Sequence, residues 1–345
     1  MSPKVTVLMP VYNGNRYLRD SIESVLNQEF TDFELLIIDD CSRDDSVVIV
    51  QSYQDQRVRF LQNAVNLGQT RTLNKGLELA KGDYIARQDQ DDISLPKRLK
   101  VQVEFLDNHR HIGVVSSATT FIDVAGKSRF MLDIPCTDVE IRWRLLTRNV
   151  FAHPAVMMRR DQLLQGGFSY DPRFRYAQDY DLWARLIKET SGANIPFPLV
   201  KYRVHSNSAS RQYLDAMLIE QCQIAQRVIA QTLSGFDLSL ARIEKLIKVV
   251  SYRPRFYPQV QTERVEYAHL YLDLFEAFAK LNPFIWQHQH TLADTALDAL
   301  YAALRPPLPL HWQQVVKRVQ SLFPHIVWRI MSLTPYMAYR RWRLH

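Results

Sequence analysis

The first 123 residues alternate between two hydrophobic periods, and this alternation restricts the possible folds more than any other feature of the sequence. Continuous apolar runs, typical of strands buried on both faces, recur between segments whose apolar residues have helical spacing. The runs that predict strands span residues 5–11, 33–38, 58–61, 84–86 and 112–122. The helical segments lie near residues 18–26, 46–53, 70–81 and 96–106. This repetition predicts an α/β fold with a mostly parallel sheet flanked by helices.

Polar residues follow three of these predicted strands at the point where each strand ends. Tyr12 and Asn13 follow the first strand, Asp39 and Asp40 follow the second, and residues 89–92 follow the fourth. Because parallel sheets bind ligands at the carboxyl ends of their strands, we expect one crevice to gather all three. The chain has neither the glycine-rich dinucleotide fingerprint nor a Walker-type lysine loop. This argues against a dinucleotide oxidoreductase and against a P-loop NTPase.

The segment 89–92 carries three carboxylates within four residues, Asp89, Asp91 and Asp92. Carboxylates this close repel one another unless a cation or several hydrogen bonds compensate. Mg²⁺ and Mn²⁺ prefer oxygen ligands and often bridge to phosphates. The segment therefore predicts a divalent-metal site, and a solvated acidic turn between a strand and a helix is the alternative.

The remainder of the chain predicts a second, helical part. A length of 345 residues is typical of two domains, or of one domain with an extension. Strands are predicted at residues 153–158 and 197–204, and helices near residues 179–188, 212–232, 236–250, 262–281 and 291–304. Three widely spaced cysteines argue against a disulfide framework. With neither a signal-peptide pattern nor an apolar stretch of spanning length, we expect a cytoplasmic protein.

The net charge of +7 is concentrated in the C-terminal tail. After Asp298 there are seven Lys or Arg residues and no Asp or Glu, so the preceding residues are neutral overall. A neutral body argues against a basic nucleic-acid groove. Residues 312–323 have the spacing of an amphipathic helix, which would suit an anionic membrane surface. We therefore predict that residues 306–345 contact the inner face of a membrane, with packing on the domain as the alternative.

Several sequence blocks stand in a fixed order between residues 4 and 210. They are VLMPVYN (7–13), IIDDCS (37–42), NLG (66–68), NKG (74–76), DQDD (89–92), HP (153–154), QDYDLW (178–183) and YRVHS (202–206). These blocks resemble glycosyltransferase family 2, the inverting nucleotide-sugar transferases of the GT-A fold. The resemblance implies a Rossmann-like GT-A sheet, with residues 1–125 as its nucleotide-sugar-binding half and 126–210 as its acceptor half. Residues 211–345 would form a helical C-terminal extension.

The resemblance assigns donor binding to the first two strand ends and to the segment that follows them. Besides the acidic segment, the residues assigned are Pro10, Val11, Tyr12, Asp39, Asp40, Arg71 and Asn74. A carboxylate at a strand end can accept the N–H of a pyrimidine such as uracil, and the resemblance gives this role to Asp40. Capping of the next helix by Asp39 and Asp40 is the alternative. A solvated helix charge is the alternative for Arg71.

The segment 89–92 resembles the Asp-x-Asp motif of the family. The resemblance implies that Asp91, and next to it Asp92, bind Mn²⁺ or Mg²⁺, which stabilises the charge of a departing diphosphate. Asp89 would contact ribose or orient its neighbours. His205 would add a metal or phosphate contact, and a structural histidine is the alternative.

Inversion also requires a base that deprotonates the acceptor hydroxyl as it attacks the sugar. The resemblance implies that Asp179 is this base, at a helix N-terminus whose dipole favours the ionised form. A helix-capping role is the alternative. The family often has Glu where this chain has Gln178. The difference removes a second carboxylate at that position, and the assignment of Asp179 as the base does not depend on it. His153 and Trp183 are assigned to the acceptor side, with packing in the core as the alternative for both.

Together these assignments predict an inverting glycosyltransferase with a nucleotide-sugar donor, expected to be UDP-linked. The acceptor would be a hydroxyl of a glycan or lipid-linked molecule in cell-surface polysaccharide synthesis, and the sugar, hexosyl or N-acetylhexosaminyl, is unassigned. A nucleotidyltransferase is one alternative, although it would need an early glycine-rich loop with a lysine. A nucleotide-sugar-binding or membrane-scaffold protein without turnover is another. Such a protein would be expected to lack Asp40, Asp91 or Asp179, and all three are present.

Overall fold

The fold was analysed in a computed structural model that describes residues 2–131, 134–205, 208, 212–250, 263–288, 291, 295 and 312–324. The chain divides into two compact units. The first consists of residues up to Ile141 together with Asn149–Glu220, and the second combines Arg142–Arg148 with the described residues from Gln221 onward. The predicted segments 1–125 and 126–210 both fall in the first unit, apart from residues 142–148.

The described residues of the first unit form nine strands and the helices that connect them, together with a short 3₁₀ helix at His153–Ala155. The strands are β1 (Val5–Val11), β2 (Phe33–Asp39), β3 (Val58–Gln62), β4 (Tyr84–Arg87), β5 (Ile93–Ser94), β6 (Ile112–Ile122), β7 (Ser128–Met131), β8 (Met157–Arg159) and β9 (Ser191–Arg203). The helices are α1 (Asn15–Leu26), α2 (Ser46–Gln51), α3 (Gln69–Leu79), α4 (Arg98–Asn108), α5 (Asp138–Leu145), α6 (Arg160–Gln165) and α7 (Gln178–Glu189).

All nine strands form one sheet, in the order β3-β2-β1-β4-β8-β6-β9-β5, with β7 paired to β6. The half formed by β3, β2, β1 and β4 is parallel, as predicted from the apolar runs. Every residue of β1 and of β2 is buried, which explains why these strands read as continuous apolar segments. The carboxyl ends of β1, β2 and β4 therefore lie side by side.

The other half of the sheet is mixed, which the sequence did not predict. Strand β8 pairs antiparallel with both β4 and β6, and β5 and β7 also pair antiparallel with their neighbours. These strands are two to four residues long. Segments this short contain too few alternating positions to give a clear strand period. The predicted strand at residues 153–158 is accordingly a 3₁₀ turn followed by β8.

The second unit is helical in its described residues, as predicted. Its helices are α8 (Leu214–Thr232, which begins in the first unit), α9 (Leu240–Val250), α10 (Glu263–Leu281), a 3₁₀ helix at Pro283–Gln287, and α11 (Trp312–Leu322). Trp143 is buried in this unit, where its indole N–H donates to Thr295 over 3.0 Å and its ring lies 5.1 Å from Phe275. Most of the predicted helix at 291–304 lies outside the described residues.

Helix α11 packs on α10 through its apolar arc. Val315, Val319 and Phe323 are buried. Arg318 donates to two carboxylates of α10, Asp273 over 2.6 Å and Glu276 over 2.5 Å. The apolar face of this helix is therefore occupied by protein, which was the alternative to membrane contact. Residues 325–345 of the predicted membrane segment lie outside the described residues. No helix in the described part of the chain is long and apolar enough to cross a membrane.

Gly82, at the turn between α3 and β4, provides a test of the fold. A Cβ added there would lie 2.4 Å from the backbone nitrogen of Thr6 and 2.6 Å from the carbonyl carbon of Val5. Because backbone atoms of β1 cannot yield as a side chain does, we expect Gly82→Ala to lower the free energy of unfolding by about 2–3 kcal/mol. Urea denaturation measures the change.

The matched control for Gly82→Ala is Asp83→Ala, since the Asp83 side chain is 68% exposed. It should change the free energy of unfolding by less than about 0.5 kcal/mol. Equal midpoints for Gly82→Ala and the unmodified chain would show that the turn is not as tightly packed as described.

Candidate active site

The three polar strand ends are joined to one another, as predicted from the sequence. Gln90 bridges the acidic segment to the end of β1, because its side chain accepts the Tyr12 amide over 2.8 Å and donates to the Tyr12 carbonyl over 3.1 Å. The Asp40 amide donates to the Val11 carbonyl over 2.7 Å, which joins the ends of β2 and β1. One edge of the sheet thus carries all three groups.

Asp40 holds the loop that follows β3. Its carboxylate accepts the amides of Leu67 and Gly68, both over 2.8 Å, and the side chain of Asn63 over 2.9 Å. These bonds shape one wall of the crevice at the carboxyl end of β2. Asp40 therefore has a structural role in the crevice in addition to its predicted contact with a nucleotide base, which remains a prediction.

Asp39 is almost fully buried and has one free acceptor. Its Oδ2 accepts the Ser42 amide over 3.0 Å and the Gln62 side chain over 3.2 Å. Its Oδ1 is buried without a hydrogen-bond partner among the described residues. Helix α2 begins after Asp45, and neither Asp39 nor Asp40 caps it. The helix-capping alternative is therefore wrong. The unpaired Oδ1 of Asp39 is suited to a hydrogen-bond donor of a ligand, because a buried acceptor without a partner is costly.

The remaining predicted donor residues differ in their availability. Pro10 and Val11 are buried within β1, whereas Tyr12, the residue after the strand, is 43% exposed. Arg71 is exposed on α3. Asn74 is not available, because its side chain donates to the Tyr170 carbonyl over 2.7 Å and accepts the Tyr170 amide over 2.8 Å. The predicted donor contact of Asn74 is corrected on this ground, since both ends of its amide hold a neighbouring loop.

The acidic segment is held by buried arginines. Arg87 donates to Asp89 Oδ1 over 2.6 Å, and Arg87 is only 1% exposed. Desolvation raises the pKa of Asp89 despite this partner, and the nearby charge of Asp91 raises it further. Arg98 is fully buried and donates to the Gln88 side chain and to the Arg87 carbonyl, over 2.9 Å and 2.6 Å. Asp89 thus has a fixed partner in Arg87 at the end of β4, and both of its predicted roles stay predictions.

Asp91 and His205 lie together, beyond the ends of β4 and β9. Asp91 Oδ2 and His205 Nε2 are 2.8 Å apart, and the two side chains are 25% and 14% exposed. Arg203, at the end of β9, fixes this arrangement by donating its Nε–H to the Asp91 carbonyl over 2.9 Å. A carboxylate oxygen and an imidazole nitrogen with partial exposure form a donor pair that can take a divalent ion.

Asp92 is directed elsewhere, although it is adjacent to Asp91. Its Oδ1 accepts the Arg203 amide over 2.7 Å, and the side chain is 2% exposed. Desolvation, followed by the charges of Asp91 and Asp89, raises its pKa well above the usual value for a carboxyl. The Oδ2 of Asp92 has no hydrogen-bond partner among the described residues, but the side chain is almost fully buried, so the placement favours Asp91 over Asp92 as the exposed metal ligand. Within the described residues, no three His, Cys, Asp or Glu side chains converge on one point as a complete metal site.

Asp179 lies at the start of α7, as predicted, but burial determines its pKa. The carboxylate accepts the Asn149 side chain over 2.7 Å and the Tyr180 amide over 2.8 Å. Desolvation raises the pKa of Asp179 to about 6, against the lowering by these two bonds. The helix terminus was expected to favour the charged form, and desolvation outweighs it. The helix cap is Ala177, so Asp179 is not an N-cap.

Of the two residues predicted on the acceptor side, His153 is paired with a tyrosine and Trp183 is buried in the core. His153 Nε2 lies 2.9 Å from the Tyr170 hydroxyl, and desolvation lowers the pKa of His153 well below its usual value. Trp183 is fully buried, with its ring 6.0 Å from Phe151 and 6.1 Å from His153. The predicted stacking of Trp183 on a sugar is therefore corrected to a core role, which was its alternative.

Three residues of the site were missed from the sequence. Arg203 stands inside the YRVHS block, and Gln90 occupies the variable position of the Asp-x-Asp motif, so both could have been singled out. Asn149 had no such signal, because its role depends on contact with a residue 30 positions away.

Comparison with known proteins identifies the family. The family model described as Glycosyl transferase family 2 matches residues 6–167. EpsE of Bacillus subtilis (strain 168) is 36% identical over 217 residues, which cover 61% of this chain and 76% of EpsE. The O-antigen biosynthesis glycosyltransferase WbnJ of Escherichia coli is 32% identical over 222 residues, covering 61% of this chain and 83% of WbnJ.

A solved structure has the same fold. The crystal structure of S. aureus TarS residues 1–349 in complex with UDP-GlcNAc matches with a TM-score of 0.56 at 18% identity, covering 87% of each chain. The sequence relatives and the shared fold both point to the family that the motifs at the acidic strand ends resemble. This chain therefore belongs to glycosyltransferase family 2 and is a glycosyltransferase of the GT-A fold.

Proposed function

We propose that this glycosyltransferase transfers a sugar, with inversion, from a UDP-linked donor to a hydroxyl of a glycan or lipid-linked acceptor in cell-surface polysaccharide synthesis. The observation that carries the proposal is the presence of two chemically distinct groups in one site. The Asp91–His205 pair can bind a metal, and Asp179 has a raised pKa suited to a base. Desolvation is the largest cause of the raised pKa of Asp179, and the charge of Asp89, two residues before Asp91, adds to it, which supports proximity of the acidic segment to Asp179.

The donor base and ribose would lie against the ends of β1 and β2. Uracil offers one N–H donor between two carbonyl acceptors, and a ribose offers hydroxyl donors. The unpaired Oδ1 of Asp39 and the Asp40 carboxylate supply acceptors at this edge, while the exposed Tyr12 ring supplies a surface for the base. The TarS complex contains UDP-GlcNAc, and this supports a uridine donor for a chain of the same fold.

Asp91 and His205 would hold the divalent ion. When bound, the ion neutralises charge that develops on the diphosphate as it leaves the sugar. A mixed oxygen and nitrogen donor pair suits Mn²⁺ better than Mg²⁺, since Mg²⁺ strongly favours oxygen ligands. Arg203 would keep the pair in place through its bond to the Asp91 carbonyl.

Asp179 would accept the proton of the acceptor hydroxyl as that oxygen attacks the anomeric carbon. A carboxylate with a pKa of about 6 is mostly ionised at pH 7, and it is a stronger base than an ordinary Asp. Asn149 would fix the orientation of Asp179, leaving one oxygen edge for the hydroxyl. Attack from the face opposite the diphosphate then inverts the anomeric centre.

One experiment separates this function from its alternatives. UDP-GlcNAc, UDP-glucose and UDP-galactose are offered with Mn²⁺, and UDP and pyrophosphate release are followed. Metal-dependent UDP release that is lost in Asp91→Asn supports the transferase. Pyrophosphate release would indicate a nucleotidyltransferase, and binding without turnover would indicate a protein with an inactive site.

The metal assignment predicts different effects for two adjacent carboxylates. Asp91→Asn and His205→Ala should each weaken Mn²⁺ binding, measured by calorimetry with UDP present, by about tenfold or more. Asp92→Asn is the matched control, and it should stay within about threefold because an amide oxygen can still accept the Arg203 amide. Equal losses in Asp91→Asn and Asp92→Asn would contradict the assignment.

The raised pKa of Asp179 predicts the pH dependence of transfer. Because the base must be ionised, kcat/KM at saturating Mn²⁺ should be constant above about pH 7 and fall tenfold per unit below about pH 6. Asn149→Ala removes a hydrogen bond that lowers the pKa of Asp179, so its acidic limb should move to higher pH. Asn108→Ala, at an exposed position on α4, is the control. An unmoved limb in Asn149→Ala would rule out this role for Asn149.

We also propose that the basic tail associates with an anionic membrane, where a lipid-linked acceptor would be found. Since α11 is packed on α10, the interaction would depend on residues 325–345, which include Arg340, Arg341 and Arg343. Truncation after Pro324 should therefore abolish flotation with anionic liposomes while leaving UDP binding intact. Full-length protein with neutral phosphatidylcholine liposomes is the control. Undiminished flotation of the truncated chain would end the membrane proposal.

A further inference from the structure

One carboxylate from α8 holds the loop that leads into the helix of Asp179. Glu220 Oε1 accepts the Arg175 amide over 2.9 Å, and its Oε2 accepts the amides of Tyr176 and Ala177, both over 2.7 Å. Three consecutive backbone N–H groups thus share a single side chain. Bonds between an ionised carboxylate and backbone amides are among the stronger hydrogen bonds in proteins.

These bonds lie where α7 lacks a cap of its own. The N-cap residue is Ala177, which has no side chain able to accept a hydrogen bond, and no described side chain caps the helix in the usual way. The first amides of a helix need partners, and the positive end of the helix dipole attracts a carboxylate. Glu220 supplies a carboxylate at this helix end from a distant part of the sequence, and its bonds go to the amide of the cap residue Ala177 and to the two amides before it. Asp179 follows Ala177 by two residues, so this anchor sets the position of its carboxylate.

A second contact from the same part of the chain holds the same loop. The ring of Tyr213, which directly precedes α8, stacks on the ring of Tyr176 with centroids 4.6 Å apart and an angle of 23°. The Met217 amide donates to the Tyr213 carbonyl, so the helical bonding pattern already includes Tyr213. Residues seven positions apart lie on one face of a helix, and Tyr213 and Glu220 have this spacing. One face of α8 therefore holds the loop at two points.

We propose that Glu220 is a positioning residue for the reaction, which acts by fixing the first turn of α7 and so the place of the Asp179 carboxylate. The inference rests on the proposed role of Asp179 as the base. A displacement of about 1 Å in a reacting group can reduce the rate by about a hundredfold. Among the described residues, the hydrogen bonds of Glu220 go to the loop before α7 and none goes to Asp39, Asp40 or the Asp91–His205 pair, so we expect donor and metal binding to be unchanged without it.

The first test compares Glu220→Ala and Glu220→Gln with Asp215→Ala, an exposed acid on the same helix. UDP-GlcNAc, UDP-glucose and UDP-galactose are each offered with saturating Mn²⁺, and kcat is measured from UDP release. Glu220→Ala should lower kcat by about 10- to 100-fold with the affinity for UDP unchanged within twofold. Glu220→Gln keeps one acceptor oxygen, so its loss should be smaller, and Asp215→Ala should match the unmodified chain. A kcat equal to that of the unmodified chain in both Glu220 variants overturns the inference.

The second test asks whether Glu220 acts through Asp179. The Glu220→Ala change is combined with Asp179→Asn, and the residual kcat is compared with that of Asp179→Asn alone. If Glu220 acts only by placing the base, the second change should have little further effect, because the group it positions is already lost. If Glu220→Ala lowers kcat as much in the Asp179→Asn variant as it does in the unmodified chain, Glu220 has a general structural role and the inference is overturned.

The outcomes also separate this inference from the proposed function. Full activity in Asp179→Asn would refute the base assignment itself, whatever Glu220 does. An inactive Asp179→Asn with fully active Glu220 variants would refute only the positioning role. Should Glu220→Ala not fold, as judged by UDP binding, Glu220→Gln decides the question, since it preserves the shape of the side chain.

Discussion

Mutual repulsion among Asp89, Asp91 and Asp92 is the constraint around which the carboxyl edge of the sheet is arranged. Each carboxylate has a separate partner. Asp89 has the buried Arg87 guanidinium, Asp92 has the Arg203 amide, and Asp91 has the His205 ring. Partners from the end of β9 reach two of the three, so the mixed half of the sheet stabilises an acidic loop that leaves its parallel half. Of the three, Asp91 is the carboxylate that is paired with a second type of metal ligand, an imidazole, and its side chain is 25% exposed.

The two chemical tasks of a glycosyltransferase are built on different supports. The proposed donor side consists of strand ends and short loops tied to one another by side-chain bonds to nearby backbone groups, such as those of Gln90 to Tyr12 and of Asp40 to Gly68. The proposed base, Asp179, lies on a helix that is approached by a loop held by side chains from more distant parts of the sequence. Desolvation raises the pKa of Asp179 at this position, and the Asn149 bond limits that rise. The Asn149 bond thus bears on both the orientation and the basicity of Asp179.

The parts that the sequence predicted well are those determined by local pattern. Strands β1, β2 and β6 have long apolar runs, and α1 has Leu18, Ile22 and Val25 at helical spacing, so their positions follow from burial alone. Short antiparallel strands such as β8 contain too little pattern to be recognised.

Side-chain direction was the part that the sequence could not supply. Asp91 and Asp92 are adjacent and identical, yet one pairs with His205 and the other is buried against Arg203. Trp183 has a spacing that suits both a core residue and an exposed one, and only the fold places it in the core. Asn149 and Glu220 act across 30 and 43 positions of sequence, which no local motif records.

The central claim is that Asp91 and His205 together hold a divalent ion beside the donor diphosphate. Anomalous diffraction from a crystal soaked with UDP and Mn²⁺ tests it most directly. We expect a manganese peak bonded to the Asp91 carboxylate, the His205 imidazole and a phosphate oxygen of UDP. A peak bonded to Asp92 in place of Asp91, or bound UDP with no manganese at this pair, would contradict it.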